Sequence, residues 1–156
     1  MNKEEQVIMG FRELINKMDK LNNNTMKDSL KSCTASEIHC IEYIGKNVDA
    51  NMVKLAEAFY MTRGAMSKMT KKLIKKGIVE SYQKPNNKKL VYFKLTEQGK
   101  EIYNIHEEMH RAYQKRDKAV FDQVTEEQLD IMLGFANKYG QHLDSELNKL
   151  GVGKPK

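Results

Sequence analysis

Apolar residues recur at helical spacing from the start of the chain. Val7, Ile8, Phe11, Leu14, Ile15, Met18 and Leu21 follow the i, i+3, i+4 rhythm of an amphipathic helix over 4–22. At 1.5 Å per residue that helix is roughly 28 Å long. The polar stretch from Asn22 to Ser32 reads as a loop. Thr34-Ala35-Ser36-Glu37 has the form of a capping box, with Thr34 meeting the backbone of the third helical residue and Glu37 returning the bond. A helix should follow with Ile38, Ile41 and Ile44 inward, ending near Gly45 to Asn47. A shorter helix, Asn51 to about Ala58, offers Met52, Leu55, Ala56 and Phe59 to a core, and Phe59-Tyr60-Met61 makes a turn. Thr62 then caps a helix that runs to Lys76 and stops at Gly77. Its stripe is Ala65, Met66, Met69 and Leu73. Arg63, Ser67, Thr70, Lys71 and Lys75 lie largely away from that stripe, and Lys68 and Lys72 on its shoulders.

The period then changes from helical to alternating. Ile78 to Tyr82 and Leu90 to Leu95 read as two strands joined by the polar link Lys84-Pro85-Asn86-Asn87-Lys88-Lys89, a hairpin with a long tip. Two helices close the chain. Thr96 to about Phe121 carries Ile102, Ile105, Met109 and Tyr113. A second capping box, Thr125-Glu126-Glu127-Gln128, opens a helix with Leu129, Met132, Leu133, Ala136, Leu143 and Leu147. The end, 151–156, is expected to be a flexible tail. The reading is mainly α with a small β-hairpin wing: a winged helix-turn-helix over 34–95, flanked by long helices in 1–33 and 96–150 that serve dimerisation.

Charge sharpens this picture. Arg63 to Lys89 holds nine basic residues and one acid, so this segment is +8 within a chain of net charge +6. A cationic excess confined to one segment is an electrostatic footprint for a polyanion, although a solvated helix face and a basic loop would look the same. No apolar run exceeds four residues, as in Leu90-Val91-Tyr92-Phe93, which is far too short for a membrane span. Two cysteines, Cys33 and Cys40, make no disulfide framework, and a cytoplasmic, reducing home is the simple expectation.

The order short helix, turn, basic-faced helix, basic-tipped hairpin is that of a winged helix-turn-helix. Its second helix would enter a major groove with Thr62, Arg63, Gly64, Ser67 and Lys68 in the first two turns. Arg63 suits a guanine through two hydrogen bonds. Lys71, Lys72 and Lys75 suit phosphates, and Lys84, Asn87, Lys88 and Lys89 on the wing an adjacent backbone or minor groove. The segments "NMVKLAEAFYMTRGAMSKMTKKLIKKGIVE" and "VYFKLTEQGKEIY" resemble the MarR family of transcriptional regulators, in helix order over nearly the whole chain. The family often places an Asp-Arg pair at the wing tip, where this chain has Asn87-Lys88. The resemblance implies a homodimer. The flanking helices support it, because their apolar faces exceed what residues 34–95 can cover. The expected function is sequence-specific binding of double-stranded DNA, as a repressor on an inverted repeat that a ligand releases or engages.

His106 and His110 stand four apart on one helical face, a spacing at which two imidazoles can share a metal. With His39 on the earlier helix, "TASEIH" and "NIHEEMH" are similar to the zinc-sensing branch of the MarR family, and the resemblance implies zinc on His39, His106 and His110. That branch takes a carboxylate from late in the first helix, which is missing here. Asp19, Asp28, Cys33 and Glu42 are the available substitutes, and spacing does not choose among them. Two other switches are open. A small aromatic or anionic effector could sit in a crevice lined by Tyr43, Tyr103 and Arg111. Oxidation could act at Cys33, near Lys31, with Cys40 buried and inert. A non-specific architectural DNA-binding protein is the competing class. An enzyme is not expected: there is no phosphate loop or nucleophile elbow, and the HExxH at 106–110 lies on a helix expected to pack beside the winged unit.

Overall fold

The computed structural model describes residues 1–151, so the expected tail beyond Gly151 lies outside the described residues. The chain divides into two compact units, 1–33 and 34–156. The first holds α1 (Lys3–Thr25) and a short α2 (Asp28–Lys31). Asn2 opens α1 with a reciprocal capping box to Glu5. The expected loop from Asn22 is corrected here: α1 continues to Thr25, and Asn24 and Thr25 bond back to carbonyls one turn earlier, at Lys20 and Leu21. No residue of α1 is buried, and its apolar row of Phe11, Leu14, Ile15, Met18 and Leu21 is exposed.

The second unit runs α3 (Ala35–Lys46), β1 (Ala50–Asn51), α4 (Met52–Ala58), α5 (Arg63–Lys75), β2 (Val79–Lys84), β3 (Asn87–Leu95), α6 (Glu97–Phe121) and α7 (Glu126–Lys149). This is a mainly helical winged helix-turn-helix with a small antiparallel sheet. β3 is the central strand, with Ala50 opposite Phe93 on one side and Val79 opposite Leu95 on the other. β1 was not expected: two residues are too few to show a period, and only pairing with β3 makes them a strand. The hairpin also differs. Both strands reach further than their apolar residues do, so the long tip shrinks to Pro85-Asn86.

Thr34 caps α3 as expected, its hydroxyl accepting from the Glu37 amide at 3.1 Å. The Glu37 carboxylate does not return the bond. It is buried and accepts from Lys76 Nζ at 2.7 Å, because a charged partner stabilises a buried carboxylate better than a neutral amide does. The Thr125 box of α7 forms in both directions. The core gathers Ile38, Ile41 and Ile44 of α3, Leu55 and Ala56 of α4, Met66 and Leu73 of α5, Ile78, Val79, Tyr92 and Phe93 around the sheet, and Ile102 and Met109 of α6. α7 buries none of its residues, and Ile131, Met132, Leu133, Phe135 and Leu143 are exposed. No helix among the described residues is long and apolar enough to cross a membrane.

Gly99, in the first turn of α6, lies against the chain leaving α5. A Cβ built there would stand 2.0 Å from the Ile78 carbonyl oxygen. Backbone cannot yield as a flexible side chain can, so Gly99→Ala should destabilise the fold by about 1–3 kcal/mol or more. Chemical denaturation of both chains measures it as a lower midpoint at unchanged slope.

Candidate functional site

α5 is anchored to the core by two fully buried side chains, Met66 and Leu73, two turns apart on one face. Thr62 caps it, accepting from the Ala65 amide at 3.1 Å. Met69 is half-buried. Ala65, expected in the apolar stripe, is exposed. Thr70, expected on the outer face, is 1% exposed, and its hydroxyl donates to the Ser67 carbonyl at 3.0 Å. A threonine can turn inward mid-helix because that local bond satisfies its one polar group. The outer face that remains is cationic: Arg63, Gly64, Lys68, Lys71, Lys72 and Lys75 are exposed and Ser67 half-buried. Among the described residues none of these cations is held in an ion pair, so the face keeps its charge.

The turn into α5 is held from outside. Tyr60 takes a left-handed backbone, φ +52°, and its phenol donates to Asp144 of α7 at 2.7 Å. The wing has its own brace. Asp49, also left-handed at φ +60°, accepts from the Tyr82 hydroxyl at 2.7 Å and from Lys84 Nζ at 2.6 Å. Tyr82 stacks on Tyr92 across β2 and β3 at 5.4 Å, and the Lys84 ammonium lies 4.7 Å over Tyr92. Lys84 is therefore a charge already neutralised by a neighbour, unlike exposed Lys88 and Lys89. Asn87 accepts from the Lys89 amide at 3.2 Å, and Gln83 donates to the Lys88 carbonyl at 3.2 Å. These amides shape a tip that has no Asp-Arg pair.

Between α3 and α6, Glu42, His106 and His110 bring their ligand atoms within 4.8 Å of one another. The two imidazole Nε2 atoms are 3.1 Å apart. Two nitrogens at about 2.0–2.1 Å from a tetrahedral zinc would stand about 3.3 Å apart, so the pair needs little adjustment. His106 Nδ1 is buried with no hydrogen-bond partner among the described residues. Burial first, and then the neighbouring His110 charge, lower the His106 pKa, which favours the neutral form a metal requires. Burial pushes the Glu42 carboxyl up, but the hydrogen bond and charge of Lys46, at 2.6 Å, with the two imidazoles, hold it below its ordinary value. His39 does not join this group. It points to the exposed side of α3, one turn earlier, and Glu42 stands where a third ligand is needed.

A cavity of about 830 Å³ lies under the sheet, lined by Ile44, Asp49, Phe93, Leu95 and Tyr103 among others. Of the expected crevice residues only Tyr103 lines it. Tyr43 instead packs edge-on against Phe59 at 5.9 Å. Both cysteines are buried and free, and burial, with the charge of Glu37 adding to it, pushes the Cys40 thiol up to about 12.

A MarR family model matches residues 33–91. The HTH-type transcriptional regulator PchR of Bacillus subtilis (strain 168) is 32% identical over 120 residues, which span 77% of this chain and 71% of PchR. The chain belongs to the MarR family. It is a helix-turn-helix transcriptional regulator with a DNA-binding winged fold. Streptococcus pneumoniae FabT, solved in complex with DNA, superposes with a TM-score of 0.77 at 21% identity, over 92% of this chain and 99% of that one. The adhesin competence repressor AdcR of Streptococcus pyogenes gives 0.70 at 20% identity, over 92% and 98%.

For this MarR-family chain, sequence reasoning missed Asp49 and Tyr60. Neither lies in a periodic stretch, and each works through a partner more than 30 residues away in the chain. A non-glycine left-handed residue is invisible without coordinates. The Asp49 hub is open to test. Its hydrogen bond, with a smaller contribution from burial, raises the Tyr82 phenol from 10.0 to about 12. Asp49→Ala should return Tyr82 to near its ordinary value, with ionisation beginning about two pH units lower. NMR titration of labelled tyrosine reads it directly.

Proposed function

We propose that this regulator works as a homodimer on an inverted-repeat operator, as a repressor. The observation that carries the reading is the two-sidedness of α5: Met66 and Leu73 are fully buried while Arg63, Lys68, Lys71, Lys72 and Lys75 stand exposed and, among the described residues, outside any ion pair. Thr62, Arg63, Gly64, Ser67 and Lys68 then read base edges, with Arg63 the guanine reader, while Lys71, Lys72 and Lys75 neutralise phosphates. On the wing, Lys88 and Lys89 meet backbone or minor groove beside Asn87, and Lys84 stiffens the hairpin through Asp49. Residues 34–95 are the DNA-binding region. The helices of 1–33 and 96–150 form the dimer, since α1 and α7 leave Phe11, Leu14, Ile15, Ile131, Leu133 and Phe135 in solvent, a surface that symmetric pairing would cover. The solved FabT–DNA complex and the name of AdcR, a repressor, support the same role.

A specific regulator should prefer its inverted repeat over random duplex by about 10³ or more, whereas equal affinity for every duplex would make it an architectural protein. Arg63→Ala should weaken operator binding by roughly 1–3 kcal/mol and relax preference at one base pair. Unaltered base preference in the variant would remove Arg63 from the readers.

The converging Glu42, His106 and His110 favour a metal effector. Zinc would be held by these three with water completing four ligands, and it would tie α3 to α6. Zinc at about a hundred times its Kd should stabilise the fold by ~2.7 kcal/mol. His106→Ala should abolish that gain in a melting experiment. A wild-type melting temperature indifferent to zinc would rule the metal out.

A further inference from the structure

The two ends of α5 are held very differently. At its start, where Arg63 stands, the Thr62 cap fastens the first turn, and the turn before it is tied to α7 by an exposed Tyr60–Asp144 hydrogen bond. At its exit three consecutive residues are gripped by other elements. Lys76 Nζ donates to the buried Glu37 carboxylate of α3 at 2.7 Å. The Thr96 hydroxyl, at the start of α6, donates to the Gly77 carbonyl at 2.6 Å, and the Thr96 amide donates to the Ile78 carbonyl at 3.0 Å. Gly99 closes the joint, since nothing larger than hydrogen fits against the Ile78 oxygen. Gly77, at φ +75°, lets the chain reverse between these grips.

We propose that Glu37 and Thr96 are positioning residues for DNA recognition, clamping the exit of α5 and so setting the angle at which Arg63 and Ser67 enter the groove. This rests on the reading of the chain as a sequence-specific DNA-binding protein. Leverage makes the clamp consequential. α5 extends about 18 Å from exit to start, so a tilt of about 5° at the exit displaces Arg63 by about 1.6 Å. That is more than the distance tolerance of a bidentate base contact, yet small against the spread of phosphate attraction. Loss of the clamp therefore erodes discrimination between sequences and spares general affinity. Lys76, the remaining cation of the basic run, acts here through Glu37 and contributes no phosphate contact. Glu37 shares α3 with Glu42, and Thr96 caps the helix that carries His106 and His110, so both elements that bring the candidate ligands together also hold this joint.

The test compares the duplex that the wild-type chain enriches from a randomised pool with a random duplex of equal length, at one salt concentration and well below every variant's melting temperature. Glu37→Gln and Lys76→Met each remove the ion pair. Thr96→Asp keeps an acceptor for the Gly99 amide, and with it the helix cap, but cannot donate to Gly77. All three should lose at least tenfold on the enriched duplex and less than twofold on the random one, while Thr96→Ser, which retains the hydroxyl, stays at wild-type level. Equal losses on both duplexes for Lys76→Met, with Glu37→Gln unaffected, would make Lys76 a phosphate contact and overturn the clamp. Variants matching wild type on both duplexes would overturn it too. A wild-type chain that enriches no duplex sinks the DNA-binding reading itself, and the clamp with it.

Discussion

Met66 and Leu73 vanish completely from solvent on one face of a helix whose other face carries exposed cations, and the packing around α5 keeps them there. Each side chain contributes about 1.5–3 kcal/mol by leaving water. That is enough to outweigh the mutual repulsion of lysines spread along an exposed, high-dielectric face, where each pair costs only about 1 kcal/mol or less. The helix thus stays docked while its charge stays available. A basic helix with a less committed inner face would be free to roll, and its cations could then find acids on its own chain.

The acids are indeed kept elsewhere. Glu37 is spent on Lys76 at the helix exit, Asp49 on Lys84 at the wing base, and Glu42 on Lys46 one turn along α3. In each case the pair joins two stretches of chain or braces one helix, and in none does it neutralise the outer face of α5. The arrangement also explains why two lysines of one basic run do different work. Lys75 points to solvent, whereas Lys76, one residue on, turns about 100° around the axis and meets a buried carboxylate.

Helix identity and order were legible because apolar spacing is a local property. The stripe through Met66 and Leu73, the caps at Thr34, Thr62 and Thr125, and the stop at Gly77 all lie within a few residues of what they control. Where the structure departs from the pattern, a distant partner decides. Glu37 leaves its capping box for Lys76, 39 residues away. Thr70 is the local exception, turning inward because the Ser67 carbonyl three residues back satisfies it there. Ala50-Asn51 becomes a strand only beside β3. The histidine pair was readable as an i, i+4 spacing. Its companion was not, since His39 and Glu42 occupy one helix and only the packing of α3 against α6 selects Glu42.

Sequence alone therefore determined the order of the long helices, which one is both basic and amphipathic, and which family they compose, since hydrophobic period, capping residues and local charge need no third dimension. Tertiary structure decided which charges are free and which are held, which carboxylate meets the imidazoles, and where α5 is clamped. Those are distances between residues far apart in the chain, and they exist only once the apolar faces have packed.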